Sequence, residues 1–199
     1  EQSFTLLDTP GHVDFSAEME RALQVLDYAI LVISGTDGVQ GHVHTLWKLL
    51  KRHQVPVFLF INKMDLAAGR EEALLAELQE QFGEGFVDFG DTDCADFMEN
   101  VAVCDEAVLE KYLESGSVEV SQIRKMIAER KVFPYCFGSA LKGFGVEELM
   151  DKIAEYVQDG EYSEQFGAKV FKITRDEQGN RLTHMKITGG SLKVKALLS

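Results

Sequence analysis

The chain has 199 residues, 45% of them hydrophobic, and a formal net charge of −13. That supports one core of ordinary size with part of another and excludes a disordered polymer. No run of about 18 apolar residues is present to cross a bilayer, and Glu1-Gln2-Ser3 lacks a charged-then-apolar leader pattern.

Charge is unevenly spread. Residues 1–65 carry 5 basic and 8 acidic groups, 66–165 carry 8 and 23, and 166–199 carry 7 and 2. A body so acidic does not hold nucleic acid through its general field. The basic tail offers charge to RNA phosphates, or simply stands as solvated charge on short strands. Cys94, Cys104 and Cys136 show no paired spacing, and Cys136 lies in an apolar run, so free thiols in a reducing, cytoplasmic setting are expected.

Ser3–Asp8 reads as a strand that delivers Asp8-Thr9-Pro10-Gly11-His12 at its carboxyl edge. A carboxylate there can hold a Mg²⁺ water, a glycine lets backbone N–H approach phosphate oxygen, and a histidine can orient an attacking water. The same residues also make an ordinary turn. Residues 14–26 follow as a helix, with Phe15, Met19, Ala22, Leu23 and Leu26 on one face. Tyr28–Ile33 is a continuous apolar run, typical of a strand buried on both faces of a parallel sheet. Val43, Leu46, Trp47 and Leu50 mark the next helix, and Val57–Ile61 the next buried strand.

That strand ends in Asn62-Lys63-Met64-Asp65. Guanine presents two adjacent donors, N1–H and the exocyclic amine, and one carboxylate, Asp65, can accept both. Adenine has no N1 proton and would leave that acceptor unpaired, at a cost of about 1–3 kcal/mol. Lys63 can lay its methylene stem along the ring, and Asn62 can tie the loop to its neighbours. Glu71–Phe82, 105–114 and 118–131 read as helices, with Gly83–Val103 between them as an irregular insertion. Its Asp88, Asp91, Asp93 and Asp96 lack EF-hand spacing and read as a solvated loop. His42-x-His44 has no third ligand at helical spacing, so no metal site is assigned there.

Val132–Phe137 is the next strand, closed by Gly138-Ser139-Ala140-Leu141. The Ser139-Ala140 loop supplies backbone N–H for the guanine oxygen. A helix follows through Val146, Leu149, Met150, Ile153 and Val157. Residues 158–165 read as a linker. The period then changes to two, giving strands at 168–174, 182–188 and 192–198. Strands alternating with helices define an α/β body with a largely parallel sheet and helices on both faces. Its ligands belong at the carboxyl ends of the strands. The division expected is a body at 1–157, the linker at 158–165, and the opening strands of a β domain at 166–199.

Asp8-Thr-Pro-Gly-His-Val-Asp-Phe15, Val25-Leu-Asp27, Gly38-Val-Gln40, Asn62-Lys-Met-Asp65 and Gly138-Ser-Ala140, in this order and spacing, resemble the translational GTPases of the elongation factor G family. Leu109–Leu113, Phe133-Pro-Tyr135 and Val170–Ile173 are most similar to its ribosomal-protection tetracycline-resistance branch. The resemblance implies a P-loop GTPase domain followed by a β-barrel domain, acting on ribosomal RNA and proteins with GTP or GDP and Mg²⁺. It implies that Asp8 is the Mg²⁺-linked acid, acting through water, that Gly11 senses the γ-phosphate, and that His12 positions water. Thr9 and Pro10 complete that switch, while Asn62, Lys63, Asp65, Ser139, Ala140 and Leu141 line the base.

The sequence departs from the family in one respect: Gly-x-x-x-x-Gly-Lys-Ser/Thr is absent. The expectation is therefore a fragment of a GTPase that keeps the guanine half of the site, binds GTP feebly and does not hydrolyse it. A non-hydrolysing ribosome-interaction module is the other reading. The strand at Ser3–Asp8 is expected to be displaced or to pair its open edge with another chain.

Overall fold

The computed structural model describes residues 3–9, 16–158, 160 and 162–196. These form two compact units, residues 28–158 and, separately, residues 3–27 with the chain beyond 159.

The first unit is built on a four-stranded parallel sheet in the order β1-β2-β4-β3, where β1 is Ala29–Ser34, β2 Val57–Asn62, β3 Phe86–Asp88 and β4 Phe133–Phe137. The helices between them are α2 (Gly41–Arg52), α3 (Glu71–Phe82), α4 (Phe97–Ala102), α5 (Glu106–Ser115) and α6 (Val120–Ala128), and α7 (Val146–Tyr156) follows β4. Residues 57–61 of β2 are buried on both faces, which is why the segment reads as unbroken apolar sequence. Phe58 and Phe60 face one side, into a core with Val101 of α4, Ile123 and Ile127 of α6, and Leu149 and Ile153 of α7. Val57, Leu59 and Ile61 alternate to the other side. On α2, Trp47 stacks on Phe82 and meets Phe133 edge-on, with ring centroids 4.8 Å apart in both pairs.

Helix α5 carries both a start and a stop signal. Asp105 caps α5 by accepting from the Ala107 and Val108 N–H groups, and Gly116, in the left-handed region, ends it. Lys131 then holds the cap, with Nζ 2.7 Å from Asp105 and 2.8 Å from Glu129.

β1 and β3 are the two edge strands, and among the described residues no strand pairs with the outer side of β1. Leu31 and Ile33 are buried, while Ile30 and Val32 on the alternate face are 39% and 54% exposed.

The second unit contains α1 (Ser16–Leu23) and an antiparallel hairpin of β5 (Gly167–Arg175) and β6 (Arg181–Gly189). Asp176 closes the hairpin turn by accepting from the Gln178 and Asn180 N–H groups.

Four expectations are corrected. The apolar run Tyr28–Ile33 is not buried on both faces: Ile30 and Val32 of β1, an edge strand of the sheet, are exposed. Residues 3–9 form no strand, and Phe4 and Leu6 are exposed; a strand needs a partner for its backbone groups, and none pairs with this segment among the described residues. The stretch Gly83–Val103 is not irregular throughout. It contains β3, paired through Phe86↔Phe133, and α4, whose Phe97 and Val101 are buried. Elements of three and six residues leave too little periodicity to read. Finally, the described part of 192–198 is not a strand: Ala196 N–H donates to Lys193 O in a turn, and Val194 is exposed.

Candidate nucleotide site

The carboxyl ends of β1, β2 and β4 are neighbours in the sheet, so the loops that follow them meet. Gly35 N–H, just past β1, donates to Asn62 O at 2.7 Å, and Met64 N–H, just past β2, donates to Gly138 O at 3.0 Å. Three short segments are thereby joined by backbone bonds.

Asn62 adds the decisive side-chain tie. Its Oδ1 accepts from its neighbour Lys63 N–H at 2.8 Å and from Ala140 N–H at 2.9 Å, across 78 positions of sequence. An amide oxygen can take both donors because it carries two lone pairs. The first bond holds Lys63 at φ 64°, in the left-handed region, and the second fixes the Ser139-Ala140 loop against it. Asp65 and Lys63 are exposed beside this tie.

The loop after β4 is tight. Gly138 sits where a side chain is excluded, since a Cβ there would lie 2.6 Å from the Phe60 ring and against Phe144 O. Ser139 N–H donates to that same Phe144 O at 2.9 Å, and Ser139 is 1% exposed. Ala140–Lys142 then makes one 3₁₀ turn that leaves Leu141 89% exposed. Ser139 is thus a buried anchor. Residues 140–144 of the loop are on the surface.

Sequence reading missed several supports. Ser34 Oγ donates to Asp37 Oδ2 at 2.6 Å, and that bond, with Thr36, Lys63 and Arg70 nearby, holds the Asp37 carboxyl below its ordinary range. Arg70 Nη1 donates to Gly35 O and Thr36 O. Glu77 Oε1 accepts from Val39 N–H at 2.9 Å, and Gly38, at φ 67°, leaves no room for a Cβ against that carboxylate. Nothing local in the sequence marks Arg70 or Glu77, because both act on a loop more than 30 positions away.

Of the other expected residues, Asp8 is exposed and Thr9 half-buried, both in the second unit, while Pro10, Gly11 and His12 lie outside the described residues. Among the described residues, no group of three or more His, Cys, Asp or Glu side chains stands together to hold a metal, and no helix is long and apolar enough to cross a membrane.

A parallel sheet with cross-braced loops at its carboxyl edge is the architecture of a nucleotide-binding α/β domain. Residues 1–159 match the elongation factor Tu GTP-binding domain family. The chain belongs to that family, and so to the translational GTPases. It is similar to the tetracycline resistance protein TetP of Clostridium perfringens, at 30% identity over 96% of this chain and 33% of that protein. It is also similar to the oxytetracycline resistance protein of Streptomyces rimosus, at 34% identity over 94% of this chain and 32% of that protein. A solved structure from Thermus thermophilus shares the fold, with a TM-score of 0.76 at 23% identity over 94% of this chain and 35% of that one. The chain spans about a third of the length of these relatives.

Proposed function

We propose that this chain carries the guanine-recognition half of a GTPase that works on the ribosome, in the manner of elongation factor G or of tetracycline-resistance ribosomal protection, in the cytoplasm. One observation carries the reading: Asn62 ties the Asn62–Asp65 loop to the Ala140 backbone. In this reading the Asp65 acceptor and the 139–141 backbone act from neighbouring segments; Ser139 and Ala140 N–H already donate to Phe144 O and Asn62 Oδ1, so Leu141 N–H is the donor proposed for the base carbonyl. Asp65 would take guanine N1–H and the exocyclic amine, the Lys63 stem one ring face, and the 139–141 loop the carbonyl oxygen.

The relatives named for tetracycline and oxytetracycline resistance support the resistance branch. In this reading residues 1–157 are the partial GTP-binding domain, 158–165 a linker and 166–199 the start of a second, β-barrel domain. Asp8 would reach Mg²⁺ through water; a lone exposed carboxylate suits an ion that keeps most of its waters and takes phosphate oxygens. Bound Mg²⁺ would neutralise charge on the phosphates, and His12 would orient the attacking water. This chain has no phosphate loop of its own, and backbone donors, a lysine and a Mg²⁺-binding hydroxyl are what cradle a triphosphate. By itself it binds guanine nucleotide weakly and does not turn it over, and the open β1 edge pairs with other strands.

Titrating the isotope-labelled chain with GDP and with ADP, followed by amide NMR, tests this. Shifts confined to residues 62–65 and 139–141, with GDP alone and unsaturated at micromolar nucleotide, are expected. Submicromolar affinity, GTP turnover, or an equal response to ADP overturns it.

A further inference from the structure

Lys169 on β5 and Lys186 on β6 are paired directly across the hairpin. Like charges placed opposite one another in an antiparallel pair repel, and such pairs are disfavoured unless something negative lies over both. Here something does. Lys169 Nζ donates to Gln24 O at 2.8 Å, and Lys186 Nζ donates to Val25 O at 3.0 Å and to Asp27 Oδ1 at 2.5 Å. Gln24 and Val25 immediately follow the last residue of α1, where unpaired carbonyls gather and the helix dipole is negative. α1 packs against β5, with Met19, Leu23 and Val25 buried. The Lys186 side chain is only 23% exposed, so its bonds are shielded from solvent more than those of a surface pair.

We infer that Lys169 and Lys186 are positioning residues: two facing ammonium groups of the hairpin clamp the carboxyl end of α1, the helix that follows Asp8–His12. The basic charge of the last segment is in part neither solvated nor aimed at nucleic acid, because these two members satisfy the Gln24 and Val25 carbonyls just past the helix and Asp27. A clamp of this kind couples the helix mechanically to the β strands, so a displacement of the hairpin carries the end of α1 with it. That α1 belongs to a nucleotide switch rests on the proposed function. The clamp does not, and its test involves no nucleotide.

The test is amide hydrogen exchange on the whole chain, comparing wild type with Lys186→Met, Lys169→Met and the double substitution. Charge-assisted bonds are about twice as strong as neutral ones. The double substitution is therefore expected to speed exchange of residues 19–27 by about tenfold or more. The β5 and β6 amides should stay within about twofold of wild type, because the facing charges no longer repel. Lys186→Arg, which keeps a cation and its donors, should restore most of the protection. Unchanged exchange in 19–27 overturns the clamp. So does a rise spread equally over the hairpin, which would mean ordinary stability, and so does a Lys186→Arg chain as exposed as Lys186→Met.

Discussion

Replacing Asn62 with alanine removes one oxygen and orphans two backbone donors at once, Lys63 N–H and Ala140 N–H. A typical intramolecular hydrogen bond contributes about 0.5–1.5 kcal/mol net, so losing two costs about 1–3 kcal/mol. Asn62 is half-buried, and water reaches part of the loop, which places the loss toward the lower end. The two bonds have separable consequences. Losing the first frees Lys63 from its left-handed conformation, which a lysine adopts at a cost of about 1–2 kcal/mol. Losing the second releases the 139–142 turn from the β2 loop. Native-state amide exchange reads both, because the Ala140 amide should lose about tenfold or more of its protection while β2 amides such as Leu59 change only by the global shift. Urea unfolding gives that shift independently. Asn62→Asp, which keeps an acceptor oxygen in place, should retain more protection than alanine. An Ala140 amide equally protected in Asn62→Ala and wild type refutes the reasoning, since Asn62 would then not be the tie between the two loops.

Further outcomes follow from the same structure. Of the three thiols, Cys94 is exposed, whereas burial pushes the Cys104 thiol up to about 11 and the Cys136 thiol up to about 12. A thiol-reactive dye at pH 8 should therefore titrate one cysteine rapidly in the native chain and three after denaturation; rapid labelling of Cys136 would contradict its burial. The bonds from Lys131 hold the Asp105 and Glu129 carboxyls below their ordinary ranges. A depressed folded value means stability that is present above the unfolded carboxylate range, near about 4, and lost as pH falls through the lower folded value. Urea midpoints should thus fall more between pH 5 and about 2 in wild type than in Lys131→Met, and equal slopes would show the triad to be uncoupled from folding. At the open β1 edge, Val32→Lys should suppress concentration-dependent self-association seen by sedimentation, since a lysine on an edge strand opposes strand addition. Association insensitive to this substitution would place the contact elsewhere.

The parallel-sheet body was readable because its strongest signals are physical necessities. A strand buried on both faces, such as Val57–Ile61, must be apolar throughout, and the amphipathic stripe of α2 must repeat near 3.6 residues. The role of Asn62 was readable for a similar reason, since a short amide side chain after a strand has few places to bond except adjacent loops. Arg70, Glu77 and Phe144 were not, because each acts on a loop through tertiary placement that no local pattern records. The strand expected at Ser3–Asp8 failed for the complementary reason: β-branched and apolar residues favour extended structure, but only a neighbour's hydrogen bonds make it a strand. β3 succeeded with three residues because β4 lies beside it. The like-charged pair Lys169↔Lys186 was legible only as net positive charge until register put the two opposite each other.

In the proposed function Asp65 reads guanine. Changing Asp65 to asparagine turns the acceptor of its carboxylate into an amide that can also donate, and xanthine differs from guanine in offering a carbonyl where guanine offers the exocyclic amine. Nucleotide titrations of wild type and Asp65→Asn with GDP and xanthosine diphosphate should show the preference for guanine reversed in favour of xanthine. If both chains keep the same order of preference, Asp65 does not contact the base and the site lies elsewhere.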